Sequence, residues 1–336
     1  MRLDVVVWRG TIPESVHRIQ AVAVDAAGAA ALATERPDLV TTFRSAAKPF
    51  QLLPLVERGH ADRLGLSEED VAVMCASHTG SEHHVRLVEA ILARLGLDAS
   101  ALVCGFHDPV DPDSLAVLAR HPERRSRLYN NCSGNHAGML CLARSEGWPV
   151  EGYERAGHPV QQLLRQTVAE VSGVAPAALE IAIDGCGVVV FGLPLRSMAL
   201  AYARFATARA DGTPRERALA RIRAAMRAYP RTTGGAGRLS TELMERGAAD
   251  RVAKGGAEGV ECLALPARGL GVALKCEDGQ SRGLGPAVLA VLEQLGALES
   301  GERERLADLA RPVVRNTLEA DVGMLVARVR QLETVG

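Results

Sequence analysis

Short apolar runs rich in valine and isoleucine lie near both ends of the chain, and they have the length and composition of β-strands. A turn sequence, Asp-Ala-Ala-Gly at residues 25–28, predicts that two of these runs form a hairpin. A further apolar run at residues 71–76 is interpreted as a strand that ends just before Ser77. The other strands expected from this pattern cover residues 5–8, 16–24, 29–33, 181–183, 188–190, 260–265, 271–275 and 324–329.

The middle of the chain shows helical periodicity instead. Apolar residues such as Val85, Val88 and Leu92 recur on one face of a helix predicted over residues 82–95. Proline is tolerated in the first turn of a helix, so Pro49 indicates that an earlier helix begins near residue 45. The other helices expected cover residues 113–119, 159–171, 196–209, 214–228 and 285–295, and one more ends near residue 147.

This distribution predicts an α/β protein of the α+β type. Its antiparallel sheet would be built from both chain ends, and a helical lobe would be inserted from the middle. No internal repeat or linker divides the sequence, so residues 1–336 are expected to form a single catalytic unit with a sheet lobe and a helical lobe.

Composition and charge exclude some classes of binding partner. The formal net charge is −1 and 24% of residues are charged, which gives no reason to expect binding to nucleic acid or to an anionic membrane. No apolar stretch approaches the roughly 18 residues of a membrane span, and no signal-peptide pattern opens the chain. The seven cysteines are odd in number and scattered, as in proteins that keep reduced thiols. We therefore expect a cytoplasmic protein.

Ser45 and Lys48 are three residues apart at the start of a predicted helix, so they lie one turn apart on the same face. A lysine at that spacing can take the proton of a serine nucleophile. The helix start also places the hydroxyl at the positive end of the helix dipole, where an oxyanion is stabilised. Serine is equally common as an ordinary helix N-cap, and the spacing alone does not separate these two interpretations.

Other polar sequences follow in an order that suggests a shared site. Ser77 comes after an apolar run, where it belongs either to a cleft or to a turn with an N-cap, and Lys254 lies with two glycines on a late strand. Together with Ser45 and Lys48 they repeat the order of the three signature elements of serine penicillin-recognising enzymes. Ser77 is followed by His78 rather than by the residues those enzymes use, so the match is one of layout.

Five ordered sequence motifs resemble a different family more closely, the L-asparaginase II family or rhizobial type of asparaginase. They are Arg-Ser-Ala-Ala-Lys-Pro-Phe-Gln at 44–51, Ser-His-Thr-Gly-Ser at 77–81, Cys-Ser-Gly-Asn-His-Ala-Gly-Met at 132–139, Asp-Gly-Cys-Gly at 184–187 and Lys-Gly-Gly-Ala-Glu-Gly at 254–259. The resemblance spans essentially the whole chain. It implies a serine β-lactamase-like, penicillin-binding-like fold, a homodimer, and hydrolysis of L-asparagine to L-aspartate and ammonia without an organic cofactor.

The resemblance also implies which residues act. The catalytic site would consist of Ser45 with Lys48, beside a second pair formed by Ser77 and Lys254. Further residues of the same motifs are assigned to substrate binding, namely Arg44, His78, Asn135, His136 and Glu258.

A zinc site is implied at Cys132 and Cys186, with Asp184 close by to hold a bound water. The third zinc ligand of the family is a lysine, and this chain has Asn135 at that position. An amide oxygen is a weak zinc ligand beside thiolates, so we expect zinc to be weakly bound or absent. The remaining cysteines and His17 are expected to be packing or surface residues.

Several functions stay open at this point. The first is an L-asparaginase that works through acyl-serine chemistry, and a glutaminase or another small-amide hydrolase would use the same residues. A non-catalytic protein that binds a metabolite or zinc on the same scaffold is the alternative from another class. The presence of both serines and both lysines favours the enzyme.

Overall fold

A computed structural model describes residues 1–331 of the chain. Its strands are β1 (Arg2–Arg9), β2 (Ile12–Asp25), β3 (Ala30–Ala33), β4 (Val40–Thr42), β5 (Glu180–Ile183), β6 (Val189–Pro194), β7 (Val252–Gly256), β8 (Val260–Leu265), β9 (Leu270–Cys276), β10 (Val313–Arg315) and β11 (Asp321–Arg330). Its α-helices are α1 (Lys48–Glu57), α2 (His60–Arg63), α3 (Glu68–Met74), α4 (Glu82–Arg94), α5 (Pro112–Arg120), α6 (Ser133–Ser145), α7 (Pro159–Ser172), α8 (Leu195–Thr207), α9 (Pro214–Ala228), α10 (Pro230–Gly234), α11 (Leu239–Glu245), α12 (Leu284–Gln294), α13 (Glu302–Arg305) and α14 (Ala307–Ala310).

The chain divides into two compact units. The sheet unit contains residues 1–41, 193–207 and those from Glu242 onward, and the helical unit contains residues 42–192 and 208–241. Both chain ends therefore contribute to the sheet unit. This confirms the prediction of a mixed fold in which the sheet comes from the termini and the helices from the middle.

The sheet unit is built on an eight-stranded antiparallel sheet. Its strand order is β10-β11-β1-β2-β9-β8-β7, and β3 pairs with the free end of β2. The first and last strands of the chain are neighbours, with Leu3 opposite Val329. Helix α8 packs on β2, β8 and β9, and Gly271 of β9 is required there because a Cβ would lie 2.0 Å from the backbone nitrogen of Ala203.

The helical unit packs around α1. Nearly every residue of α1 is buried, from Lys48 to Val56, and the helix contacts α6, α7 and α9. The residues that precede it, Arg44–Ala47, form a turn of 3-10 helix that leads into α1. The helix start predicted near residue 45 is thus confirmed, with a tighter first turn than expected.

One predicted strand is wrong. Residues 71–76, expected to be extended, belong mostly to α3, and only the last two residues follow the helix. A capping box begins this helix, because the Ser67 hydroxyl accepts from Asp70 N–H at 3.1 Å and the Asp70 carboxylate accepts from Ser67 N–H at 2.9 Å. A short, fully buried apolar run has the same composition in a strand and in a helix, so composition alone could not separate the two. The capping box was the sequence signal that would have identified the helix.

Strands β4, β6 and β5 form a separate three-stranded sheet in that order. The turn between β5 and β6 is closed by two hydrogen bonds, from Asp184 N–H to Val188 O at 2.8 Å and from Gly187 N–H to Asp184 O at 2.9 Å. Gly187 has a φ of +90°, which a residue with a side chain rarely adopts. None of the helices in residues 1–331 combines the length and the apolar character needed to cross a membrane.

Candidate active site

Four segments of the helical unit converge on one small cavity: the 3-10 turn before α1, α1 itself, the first turn of α6 and the β5–β6 turn. The cavity has a volume of about 10 Å³, which is room for about one water molecule. It is lined by Arg44, Ser45, Ala47, Lys48, Gln51, Asn135, Asp184, Cys186, Val188, Val189, Val190 and Phe191. The structure therefore brings together residues from three of the five sequence motifs.

Lys48 lies at the centre of the hydrogen bonds around this cavity and is only 3% exposed. Its Nζ donates to the carbonyl oxygen of Ala76 at 2.6 Å, to the Ser77 hydroxyl at 3.2 Å and to the Cys132 sulfur at 3.2 Å. An ammonium has three hydrogens, and these three acceptors use all of them. In this arrangement Lys48 is a charged group that joins Ser77 to Cys132.

Ser45 is half-buried on the 3-10 turn and forms part of the cavity wall. Within residues 1–331 its hydroxyl makes no hydrogen bond, although its carbonyl oxygen accepts from Lys48 N–H. The preceding residue, Arg44, has a φ of +49°, a backbone conformation that costs on the order of 1–3 kcal/mol for a residue with a side chain. The surrounding structure must hold this strained residue in place.

Asp184 holds Arg44 in this conformation. Its Oδ1 accepts from the Arg44 Nε at 2.9 Å and Nη2 at 2.8 Å, and from the backbone N–H of Gly185 at 2.7 Å. The pair is mostly buried, with 21% of the Arg44 side chain and 14% of the Asp184 side chain exposed. The β5–β6 turn therefore fixes the backbone that presents Ser45.

Ser77 is buried just beyond α3. Its N–H donates to Thr233 O at 3.2 Å, and its hydroxyl accepts from Lys48. His78, the next residue, is 1% exposed and does not line the cavity. Because Gly80 N–H donates to His78 Nδ1, the other ring nitrogen carries the hydrogen and donates to the Ser133 hydroxyl at 2.9 Å. Burial holds the pKa of His78 well below its ordinary value, so its ring is neutral.

A hydrogen bond joins the side chains of Cys132 and Cys186. The hydrogen bond from Cys186 and the charge of Lys48 lower the pKa of Cys132 to about 5, although burial acts in the opposite direction. The same hydrogen bond and burial raise the pKa of Cys186. The lowered pKa of Cys132 and the nearby Lys48 Nζ favour the thiolate form of Cys132, and the raised pKa of Cys186 favours its thiol form.

Asn135 and His136 follow in the first turn of α6. The Asn135 amide nitrogen lies 3.5 Å from Met74 O, and its oxygen is buried without a hydrogen-bond partner in residues 1–331. His136 is completely buried, and its Nδ1 lies 2.6 Å from the Tyr153 hydroxyl. Burial, together with the charge of Lys48, lowers the pKa of His136 to about 3. Asn135 lines the cavity, whereas His136 does not.

The two cysteines supply two of the four ligands that a tetrahedral zinc site uses. In the part of the chain that the structure describes, no third His, Cys, Asp or Glu side chain joins Cys132 and Cys186 in a cluster of ligand atoms. The Asp184 carboxylate is bound to Arg44, and the Lys48 ammonium takes the place of a cation beside the thiolate. The Asn135 oxygen, which has no hydrogen-bond partner within residues 1–331, is a weak zinc ligand.

The remaining candidates, Lys254 and Glu258, belong to the sheet unit. Lys254 is buried on β7, and its Nζ donates to Gly255 O at 2.8 Å. Glu258 is exposed in the turn between β7 and β8, where it has a φ of +61°. The two residues thus belong to one hairpin.

Sequence reasoning missed residues that shape this site. Gln51 lines the cavity, and it lies one turn beyond Lys48 on α1, so its spacing could have revealed it. Tyr153 and Thr233 bind His136 and Ser77 from distant parts of the chain, and nothing in their local sequence distinguishes them.

The structure places one serine in the cavity wall and a second serine beside a buried lysine, within a mixed fold of helices and antiparallel sheet. The family model described as L-asparaginase II matches residues 5–327. The chain belongs to the L-asparaginase II family.

Two further comparisons concern curated proteins and solved structures. No curated protein matches the chain. One of the matching solved structures is entitled "Crystal structure of Mglu in its native form in the presence of 4.3M NaCl". It is 16% identical, with a TM-score of 0.44, and the alignment covers 83% of this chain and 60% of that chain.

Proposed function

We propose that the protein hydrolyses L-asparagine to L-aspartate and ammonia through a serine nucleophile and a lysine base. The observation that carries this proposal is the position of two serines around one buried lysine. Ser77 accepts a hydrogen bond from Lys48, and Ser45, one turn before Lys48, lies in the cavity wall with a hydroxyl free to react. Family membership supports the amide substrate.

The reaction would proceed in two halves. The Ser45 oxygen attacks the carboxamide carbon of asparagine, and its proton passes to neutral Lys48. The carbon–nitrogen bond then breaks, and ammonia leaves with a proton returned through Lys48. Water attacks the resulting ester with Lys48 again as base, which releases aspartate and restores the serine. Lys48 must first lose one proton and its hydrogen bond to Ser77, so activity should rise from mildly acidic to alkaline pH.

One observation favours a second assignment of the nucleophile. Lys48 Nζ contacts Ser77 directly at 3.2 Å, and its other two hydrogen bonds go to Ala76 O and Cys132 Sγ rather than to Ser45. In this alternative Ser77 attacks and Ser45 assists the leaving ammonia. In the first assignment Ser77 relays the proton, and Lys254 supports it with positive charge.

Substrate contacts are proposed from the cavity wall. Arg44 carries a positive charge that suits the carboxylate of an amino acid, and Asn135 offers a buried amide oxygen that has no hydrogen-bond partner within residues 1–331. His78 and His136 do not line the cavity and instead bind Ser133 and Tyr153, so we propose that they act by holding neighbouring residues. Glu258 remains a proposed substrate residue on the β7–β8 turn.

The experiment measures ammonia release from asparagine and glutamine by the wild type, Ser45→Ala and Ser77→Ala. A diazoketone analogue of asparagine, followed by peptide mapping, then identifies the alkylated serine. We expect loss of turnover in Ser45→Ala by at least roughly 10³-fold and labelling at Ser45. Labelling at Ser77 would establish the alternative. Preference for glutamine would change the substrate, and binding of asparagine without ammonia release would support a non-catalytic protein.

Assembly, location and metal content are further parts of the proposal. We propose a homodimer in the cytoplasm, with zinc weakly bound or absent at Cys132 and Cys186. Light scattering during size-exclusion chromatography measures the mass of the assembly. Metal analysis after dialysis measures the zinc, and stoichiometric zinc that resists a chelator would contradict the expectation.

A further inference from the structure

A second group of chemically reactive side chains lies in the sheet unit, at the end of β9. Cys276 is the last residue of that strand, Asp278 lies in the turn that follows, and His17 comes from the adjacent strand β2. Cys276 lies opposite Ile19 in the strand register, so His17 is two residues further along β2 and its side chain points to the same face. The antiparallel pairing of β2 and β9 therefore brings the three side chains together.

The three side chains meet through one carboxylate. The Cys276 thiol donates to Asp278 Oδ1 at 2.8 Å, and His17 Nδ1 donates to Asp278 Oδ2 at 2.6 Å. One ligand atom from each residue can be chosen so that all three lie within 4.8 Å of one another. Within residues 1–331, this is the one group of three or more His, Cys, Asp or Glu side chains with that geometry.

We propose that His17, Cys276 and Asp278 form a binding site for a divalent metal ion, with zinc as the preferred ion. A thiolate, an imidazole nitrogen and a carboxylate oxygen are the three ligand types that zinc uses in proteins. Three protein ligands leave a fourth position for water. This site is separate from Cys132 and Cys186, which belong to the helical unit.

The exposure of the three side chains is compatible with a metal-binding site. His17 is 3% exposed and Cys276 is fully buried, so two of the ligands are held rigidly by the sheet. The Asp278 side chain is 43% exposed, which provides a path from solvent and an open side for a water ligand. Binding would replace the thiol hydrogen of Cys276 by the metal, with release of one proton to solvent.

Arg282 contacts His17 and so affects whether the site can bind a metal ion. Its Nε donates to His17 Nε2 at 2.8 Å, and its Nη2 donates to the Ser15 hydroxyl at 2.9 Å. When a metal binds Nδ1, the imidazole hydrogen moves to Nε2, where an arginine N–H cannot accept it. Arg282 is exposed and can turn away into solvent, but its contact with His17 favours the metal-free tautomer. Arg282 therefore competes with the metal through the histidine.

The test uses the full-length protein with Cys132 and Cys186 replaced by serine, so that the two thiols of the candidate active site cannot bind metal. Zinc affinity is measured by competition with a chromophoric chelator, and cobalt(II) is added separately to detect a thiolate-to-cobalt charge-transfer band in the near ultraviolet. Cys276→Ser keeps a hydroxyl that can donate to Asp278, so the fold should survive. Cys262→Ala, which removes another buried thiol of the same sheet, is the matched control.

We expect one zinc per chain and a near-ultraviolet cobalt band in the starting protein and in Cys262→Ala. Cys276→Ser should lose the band and weaken zinc binding by roughly tenfold or more, because even outer partners of a metal ligand contribute that much. Arg282→Gln should instead tighten binding, since the glutamine oxygen can accept from His17 Nε2. Absence of zinc binding in the starting protein would overturn the proposal, as would an unchanged band and affinity in Cys276→Ser.

Discussion

The first prediction concerns the close contact between α6 and α3. This contact is possible because a glycine of α6 lacks the Cβ that any other residue would carry. Gly134 lies in the first turn of α6, directly after Cys132 and Ser133 and before Asn135. A Cβ at this position would lie 2.1 Å from the carbonyl oxygen of Val73, which belongs to the backbone of α3. Gly134→Ala therefore cannot be accommodated by rotation of a side chain.

The expected cost follows from this geometry. Helix α6 would have to move by about 1 Å to bring the contact to 3.0 Å, and such overpacking costs about 3 kcal/mol or more when the obstacle is backbone. Alanine is favoured over glycine inside a helix by about 1 kcal/mol. The free energy of unfolding should thus fall by about 2 kcal/mol or more.

Gly138→Ala is the matched control, one turn later on the same helix. Its Cβ would meet Leu52 Cδ1 at 3.3 Å and Met74 side-chain atoms at 3.4 Å, all of which can shift by a few tenths of an ångström. The helix-propensity gain then offsets most of the crowding, and the change should stay within about 1 kcal/mol. Both variants carry the same chemical change, so only the packing differs.

Urea unfolding followed by far-ultraviolet circular dichroism measures the two stabilities. A second readout is activity, because a shift of α6 by about 1 Å would separate Cys132 from Lys48, and misplacement of that size can cost about 100-fold in rate. The reasoning is refuted if Gly134→Ala is as stable as Gly138→Ala. It is also refuted if both variants keep full ammonia release from asparagine.

Three more variants test charged and polar groups. Lys48→Met removes the proposed base, so kcat/KM for asparagine should fall by roughly 10²–10⁴-fold, and a fall below tenfold would exclude Lys48 as the base. Glu302→Ala leaves the fully buried Arg251 guanidinium without its carboxylate, so the free energy of unfolding should fall by about 3–5 kcal/mol in denaturant titrations, and a loss under 1 kcal/mol would contradict this. Asn135→Lys adds an amine donor beside the two thiols, so zinc content after dialysis should rise; equal zinc in both proteins would contradict the role given to residue 135.

Much of the fold could be predicted because it depends on local pattern. The periodicity of α4 and the apolar runs of β1 and β11 were sufficient to place these three elements. The helix α3 was misassigned because the buried apolar run at residues 71–76 has no polar face that would reveal a helical period. The capping box at Ser67 was the local signal that would have identified this segment as a helix.

The candidate site was harder to predict, because its contacts join distant residues. Sequence spacing could place Lys48 near Ser45, but it could not show that Ala76, Ser77 and Cys132 take all three ammonium hydrogens. Nothing in the local sequence marks the positive φ of Arg44, which depends on Asp184 from 140 residues away. Likewise His17 and Asp278 are 261 residues apart, and only the β2–β9 pairing brings them together.

His136 gives a final prediction, on the dependence of stability on pH. Its pKa is lowered by burial from 6.5 to about 3, so the unfolded chain binds a proton at mildly acidic pH that the folded chain does not bind. The stabilisation is fully present above pH 6.5 and is lost as the pH falls toward 3, with a slope that approaches about 1.4 kcal/mol per pH unit. His136→Gln removes the titration while the glutamine oxygen can still accept from the Tyr153 hydroxyl.

Other groups also titrate in this range, so the measured quantity is the difference in free energy of unfolding between the wild type and His136→Gln. Urea titrations at intervals from pH 8 to pH 4.5 should show a constant difference above pH 7. Below pH 6.5 the difference should move steadily against the wild type, because only the wild type loses stability through this residue. A difference that stays constant down to pH 4.5 would mean that the folded protein protonates His136 as readily as the unfolded chain does. The buried, neutral imidazole would then be the wrong description.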